Sequence, residues 1–318
     1  MTTLPRIDLH RHLDGNIRLQ TILDLADKNH IRLPAHDLES LRPFVTVTTP
    51  QAGLLDFLAK FHWPIAVLAS LEDCYRVAWE NVEDAARENL DYIELRFSPL
   101  FMASAHGLAP VGVVEAVTDG IAAGCREFSV RAESIGILSR TYGAELCREE
   151  LRALLAFAER LVAIDLAGDE ANFPARHFVE HFRLVREAGL GVTIHAGEAA
   201  GAESIWDAIH LLGATRIGHG VRAIEDPELL DFLVEKAIGL ECCPTSNVQT
   251  STVTAYEAHP LRTILARGIL ATINTDDPGI SAISLDHELT TAASRCGLDE
   301  EHVRMAQANS VRIAFRRL

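Results

Sequence analysis

Eight short apolar runs recur along the chain, at Arg6–His10, Tyr92–Phe97, Val130–Leu138, Leu161–Leu166, Val192–His195, Arg216–Gly218, Gly239–Cys242 and Leu270–Asn274. Several are continuous rather than alternating, the pattern of strands covered on both faces. Helical patterns fill the intervals, at Asn16–Lys28, Leu71–Asn89, Val111–Phe128, Arg176–Glu187 and Asp226–Lys236. Strands and helices alternating in this way predict a closed parallel (β/α)8 TIM barrel, with a doubly wound open sheet as the alternative. The 318 residues contain no internal repeat and no Pro/Gly/Ser-rich linker, so residues 1–318 read as one domain.

One connection breaks the rhythm. Roughly eighty residues separate the first two runs, where loops of about 2–6 residues are usual. Within this excursion, 11–91, a helical flank carries Leu54, Phe57, Leu58 and Phe61. These residues either pack as ordinary core under a helix or form a helical lid over the barrel mouth. A last helical pattern, Glu300–Phe315, is suited to covering the eighth strand, and the chain stops at Arg317-Leu318.

The residues that follow the strands are the stronger signal. Strand one ends in His10-Arg11-His12-Leu13-Asp14 and strand four in Asp165-Leu166-Ala167-Gly168-Asp169-Glu170. Strand five ends in His195-Ala196-Gly197-Glu198, strand six in Gly218-His219-Gly220, and strand eight in Asn274-Thr275-Asp276-Asp277-Pro278. Barrel enzymes place their chemistry at these carboxyl ends. Core packing explains one such histidine, but gives no reason for four of them to recur at strand tips. His10 and His12 lie two apart on a strand and so point the same way.

Together with His195 and a carboxylate, Asp276, they make an N3O ligand set that suits zinc with an open position; iron and cobalt fit the same donors. Such a metal lowers the pKa of bound water to around 7 and supplies hydroxide near neutral pH. Asp277 is then free to hydrogen-bond a substrate. Glu198 becomes a general acid if burial raises its pKa. His219 is placed to hold the water or to deprotonate it.

Other features weigh less. His177-Phe178-Val179-Glu180-His181 matches the H-x-x-E-H pattern of some zinc peptidases. It falls on a helix between strands four and five, where barrel helices face outward, so packing is the better reading. Cys242 and Cys243 are adjacent on a strand, face opposite sides, and read as small apolar fillers. His30, His36, His62, His106, His210, His259, His287 and His302 read as surface or packing residues.

The formal charge of −16 argues against a nucleic-acid backbone or an anionic membrane as partner. No signal segment opens the chain and no apolar run reaches the roughly 20 residues of a membrane span. The six cysteines lack C-x-x-C spacing and read as reduced thiols, which gives a cytoplasmic expectation.

Assembled, these residues make the chain resemble the adenosine deaminases, the bacterial ones most closely. The segments that carry the resemblance are HRHLDGN (10–16), FLAKF (57–61), ELRFSP (94–99), DLAGDE (165–170), HAGE (195–198), RIGHG (216–220) and NTDDP (274–278), in family order. The resemblance implies a barrel of the metal-dependent hydrolase (amidohydrolase) type with one zinc per chain, held by His10, His12, His195 and Asp276. It implies that Glu198 protonates purine N1, that His219 positions the water, and that His219 and Asp276 orient the tetrahedral intermediate.

Substrate contacts are implied for Asp14 and His12 at the ribose, the Gly168 N–H at N3, and Asp277 at N7. The implied reaction converts adenosine, and 2'-deoxyadenosine, to inosine and ammonia in purine salvage. The alternative on the same barrel is another purine, adenine or aminofutalosine. Adenine-specific relatives tend to carry Glu at the position of Asp14, so Asp14 favours a nucleoside. Family members usually continue past the equivalent of Phe315 into another helix. The H-x-E with P-C-x-x-C arrangement of the cytidine-type zinc deaminases is absent. The reading leaves subunit number open.

Overall fold

The computed structural model describes residues 4–318. Eight strands, β1 (Ile7–His12), β2 (Tyr92–Phe97), β3 (Arg131–Ser139), β4 (Leu161–Ala167), β5 (Gly191–Ala196), β6 (Arg216–His219), β7 (Gly239–Cys242) and β8 (Leu270–Ile273), pair in sequence order, every neighbour parallel. The ring closes just beyond β8. His12 donates its N–H to the Asp276 carbonyl (2.7 Å), and Asp276 donates its own to the His10 carbonyl (2.8 Å). The closed barrel is therefore the architecture and the open sheet is excluded.

The first strand extends two residues past its expected end, because Arg11 and His12 pair with Leu95 and Arg96 of β2. His12 thus lies in register with β2, whereas His10 sits in a bulge between Asp8 and Arg11.

The long connection after β1 is built of helices. They include Leu19–Lys28, Leu38–Val45, Leu54–Leu58 and Leu71–Arg87. Ser70 caps the last of these by accepting the Asp73 N–H. That helix packs closely on Pro110–Glu127: a Cβ at Gly120 would lie 2.5 Å from the Tyr75 carbonyl oxygen, so only glycine permits the approach. Phe57 and Phe61 are core residues, and the same side chains face a cavity over the barrel mouth.

The final helix, Glu300–Ile313, stops two residues short of the expected Phe315. The chain turns there beneath the barrel. Phe315 lies against Gly191, with the Arg216 guanidinium 3.9 Å from its ring centre. Its N–H donates to Glu94.

The strand runs read as apolar, yet the barrel interior holds a charged layer. Arg96 bridges Asp165 (2.8 Å) and Glu241 (2.7 Å), and Arg216 bridges Glu241 and Glu94 (2.6 Å each). All five are buried. Removing one partner from such a network leaves an uncompensated buried charge, which is why these residues stand or fall together.

Candidate active site at the carboxyl rim

The strand tips converge. Asp276 Oδ1 lies 3.3 Å from both His10 Nε2 and His12 Nε2, and His12 Nε2 lies 3.3 Å from His195 Nε2. Two overlapping clusters of possible metal ligands share Asp276: His10, His195, His219 and Asp276, and His12, Asp276 and Asp277.

The rings are oriented from behind. His10 Nδ1 donates to Glu241 (2.8 Å) and His195 Nδ1 to Asp165 (2.9 Å), which leaves each Nε2 lone pair facing the centre. His10 Nε2 is buried and has no hydrogen-bond partner. Burial pushes His195 down to about 3, against the opposing pull of Asp165, so the ring is neutral. Two ring nitrogens at this distance repel one another unless a proton or a metal cation lies between them. A tetrahedral ion with bonds of about 2.0–2.1 Å has ligand–ligand edges of about 3.3–3.4 Å, so the donor set fits a metal in type and spacing.

His219 and Asp276 both adopt left-handed backbone, with φ of 62° and 64°. Non-glycine residues held there cost of order 1–3 kcal/mol each and persist where the surroundings over-determine them. At Asp276 this turn lets the backbone close the ring while the carboxylate faces the histidines.

Beside the cluster is a cavity of about 300 Å³. Its polar wall includes His12, Asp14, His195, Glu198, His219, Asp276 and Asp277, and Gly168 adds bare backbone. Its apolar wall includes Leu54, Phe57, Leu58, Phe61 and Phe101. His10 is fully buried and does not line the cavity. The residues assigned from the sequence to the metal and the substrate therefore fall in one place, in the cavity wall or, for His10, directly behind it. Gly168 has a φ of 107°, and a Cβ there would lie 2.6 Å from Thr141 Oγ1, so this position requires glycine on two grounds.

Burial, with the Asp276 and Glu170 carboxylates adding, pushes Glu198 up to about 8. Burial also raises Asp277 well above the usual carboxylate range, and the negative charge of Asp276 beside it raises it further. His10, His219 and His12 overcome burial at Asp276 and hold that carboxyl ionised.

Several supporting residues escape the sequence reading. Glu170 accepts four backbone N–H groups, from Gly197, Glu198, Ala199 and Ala200, and so fixes the loop that carries Glu198. Arg96 and Glu241 stand behind the histidines. Their signal is a charge in mid-strand, Glu94 and Arg96 in YIELRF or Glu241 in GLEC, where an apolar residue is expected.

His259 is not a surface or packing histidine: it is buried and bonded through Asn247 to His219. The H-x-x-E-H residues do not converge. His177 and Glu180 are exposed, and His181 Nε2 is bonded to the Ala144 carbonyl. Cys242 and Cys243 are buried and bond to the carbonyls of His219 and Glu241.

A parallel barrel with imidazoles and a carboxylate gathered at its carboxyl rim defines a hydrolase of the amidohydrolase type. The family model described as adenosine deaminase matches residues 5–317. Adenosine deaminases of Shigella dysenteriae and Escherichia coli are each 57% identical to this chain over 314 residues, covering 99% of it and 94% of the relative. An adenine deaminase from Arthrobacter aurescens superposes with a TM-score of 0.91 at 30% identity, covering 99% of this chain and 94% of the other. An amidohydrolase from Burkholderia ambifaria with bound Zn has a TM-score of 0.88 at 24% identity, covering 98% and 86%, and shares the fold. The chain belongs to the adenosine deaminase family and is a hydrolytic deaminase.

Proposed function

We propose that this enzyme hydrolyses adenosine and 2'-deoxyadenosine to inosine or deoxyinosine and ammonia, using one zinc held by His10, His12, His195 and Asp276. The observation that carries the reading is the 3.3 Å spacing of imidazole and carboxylate ligand atoms, with His10 Nε2 left unpartnered, beside a cavity lined by the buried carboxyl group of Glu198. When bound, the metal supplies Lewis acidity that brings the pKa of water to about 7.

The chain's own residues do the rest. Glu198 keeps its proton at neutral pH and delivers it to purine N1, which removes the aromatic stabilisation that protects C6. His219 Nε2, 3.6 Å from Glu198 and 3.7 Å from Asp276, holds the attacking water against C6. Asp276 and His219 orient the tetrahedral adduct, and ammonia leaves.

Asp277, held protonated, is a hydrogen-bond donor for the acceptor N7; its Oδ1 is buried without a partner. The Gly168 N–H meets N3, and Asp14 with His12 faces the ribose. The apolar segment 54–61 serves as a helical lid, and residues 1–318 work as one domain. All six cysteines are free, which suits a reducing compartment, and we assign the enzyme to the cytoplasm and to purine salvage.

Gly15 bears on this reading. A Cβ there would fall 1.8 Å from Asp277 Oδ1. Gly15→Ala is therefore expected to displace Asp277 and lower kcat/KM by up to about 10²-fold, as a misplacement of about 1 Å can. Metal content should be unchanged. An unaltered kcat/KM would remove Asp277 from the substrate contacts.

The adenine deaminase of A. aurescens favours a second reading, in which the free base is the substrate. Ammonia release from adenosine, 2'-deoxyadenosine, adenine and aminofutalosine, measured alongside zinc content, separates the two. Adenosine is expected to exceed adenine in kcat/KM by about 10²-fold or more, because groups that bind the ribose are left unpaired without it. Faster turnover of adenine would replace the first reading with the second.

A further inference from the structure

The hydrogen bonds behind His219 can be followed from donor to acceptor, starting at a group whose polarity is fixed. That group is the backbone N–H of Leu261, 3.1 Å from His259 Nδ1. A backbone N–H only donates, so His259 Nδ1 presents a lone pair. Neutral imidazole carries one proton, and here it must be on Nε2. Burial, with a smaller contribution from His219, pushes His259 down to about 4 and keeps it neutral.

His259 Nε2–H therefore donates to Asn247 Oδ1, 3.1 Å away. This bond fixes which end of the amide is which. Asn247 Nδ2 then donates to His219 Nδ1 at 3.0 Å. His219 Nδ1 accepts this bond and so presents a lone pair there. Its one proton lies on Nε2, the nitrogen that faces Glu198 and Asp276.

Neither supporting residue is a casual contact. Asn247 has no exposed surface, and it sits on the short helix Pro244–Gln249 that leaves β7. Its backbone is tied at both ends, the N–H to the Cys243 carbonyl and the carbonyl to the Val253 N–H. The amide cannot turn over without setting its N–H against the N–H of His259.

We propose that Asn247 and His259 are positioning residues that lock His219 in the Nε2–H tautomer, so that His219 presents an N–H and no lone pair to the cavity. The reading of His219 as the group that holds the attacking water is taken from the proposed function. The tautomer itself does not depend on it.

The test uses zinc-loaded enzyme labelled with 15N at histidine, with long-range 1H–15N correlations and steady-state kinetics on adenosine. The His219 signals are identified by their loss in His219→Gln. Wild type is expected to show Nε2 protonated and Nδ1 bare. Asn247→Asp offers an acceptor where a donor stood, and should force a proton onto His219 Nδ1. Its kcat should fall about 10–100-fold, as is usual when a supporting partner is removed, with zinc content and KM within about twofold of wild type.

His259→Leu should lose a similar factor. His259→Gln, whose amide N–H can still donate to Asn247, should retain most of the rate. A wild-type spectrum with His219 Nδ1 protonated overturns the proposal. So does an Asn247→Asp variant in which both spectrum and kcat are unchanged. Full turnover in His219→Gln with the Nε2–H spectrum seen in wild type would instead overturn the role given to His219 in the reaction.

Discussion

Glu198→Gln is expected to retain its metal and to lose about 10²–10⁴-fold in kcat, the range for removing a general acid. The substitution keeps shape and volume and deletes only the transferable proton. Glu198 is not among the four proposed ligands, so metal content isolates the chemistry from assembly of the centre. The ordinary carboxylate range lies near 4.5, and burial moves this group to about 8. The acid form is then populated below about pH 8, and kcat/KM should fall as pH rises through that value. An alkaline limb that persisted at full amplitude in a variant of undiminished rate would show that the proton comes from elsewhere.

The same substitution should raise stability. A carboxyl whose folded pKa is raised binds a proton in the native state that the unfolded chain releases, so it costs stability as pH climbs from about 4.5 to 8. Glutamine removes that penalty. The variant should therefore gain on wild type in urea midpoint at pH 9 and show little advantage at pH 4. The most demanding group for catalysis is thus the one the fold holds at a cost, as buried acids tuned for catalysis tend to be.

Arg96→Met carries the largest expected loss of stability, about 3–5 kcal/mol, the usual penalty for taking one partner out of a buried ion pair. Its guanidinium joins Asp165 to Glu241, and these two carboxylates orient His195 and His10. Without Arg96 both acids face a dry interior with one cation, Arg216, still on Glu241 and none on Asp165. The expected readouts are a lower urea midpoint and weaker zinc affinity in the same protein. If Arg96→Met proves too unstable to purify, Arg96→Lys keeps the charge but cannot bridge two acids in one plane, and zinc affinity should still drop about 10–100-fold. An unfolding free energy within about 1 kcal/mol of wild type in the methionine variant would show that the layer is not energetically coupled.

The strand count, the parallel order and the rim placement of His10, His12, His195, His219 and Asp276 were legible because each depends on local pattern. Apolar runs mark strands, and a polar residue directly after one needs a reason. The supporting layer was not legible for the opposite reason. Arg96 lies 69 residues from Asp165 and 145 from Glu241, and nothing local says that these three mid-strand charges meet.

His259 shows the same limit more sharply. A histidine in a loop reads as solvated until Asn247, 12 residues away, is seen to bind it on one side and His219 on the other. Glu170 stands within DLAGDE, but its four backbone partners lie on the next strand's loop. The 54–61 flank was ambiguous because Phe57 and Phe61 are both core residues and cavity wall, and a periodicity cannot separate those duties.

Asp276 faces two ways: its amide and carbonyl join the tail of the ring to its head, and its carboxylate meets imidazoles from strands one and five. A folding chain therefore acquires no reaction centre piecemeal. Until residues 10–12 and 276, near opposite ends of the polypeptide, have found each other, there is nothing for an ion to grip, so half-folded forms are chemically silent toward nucleosides.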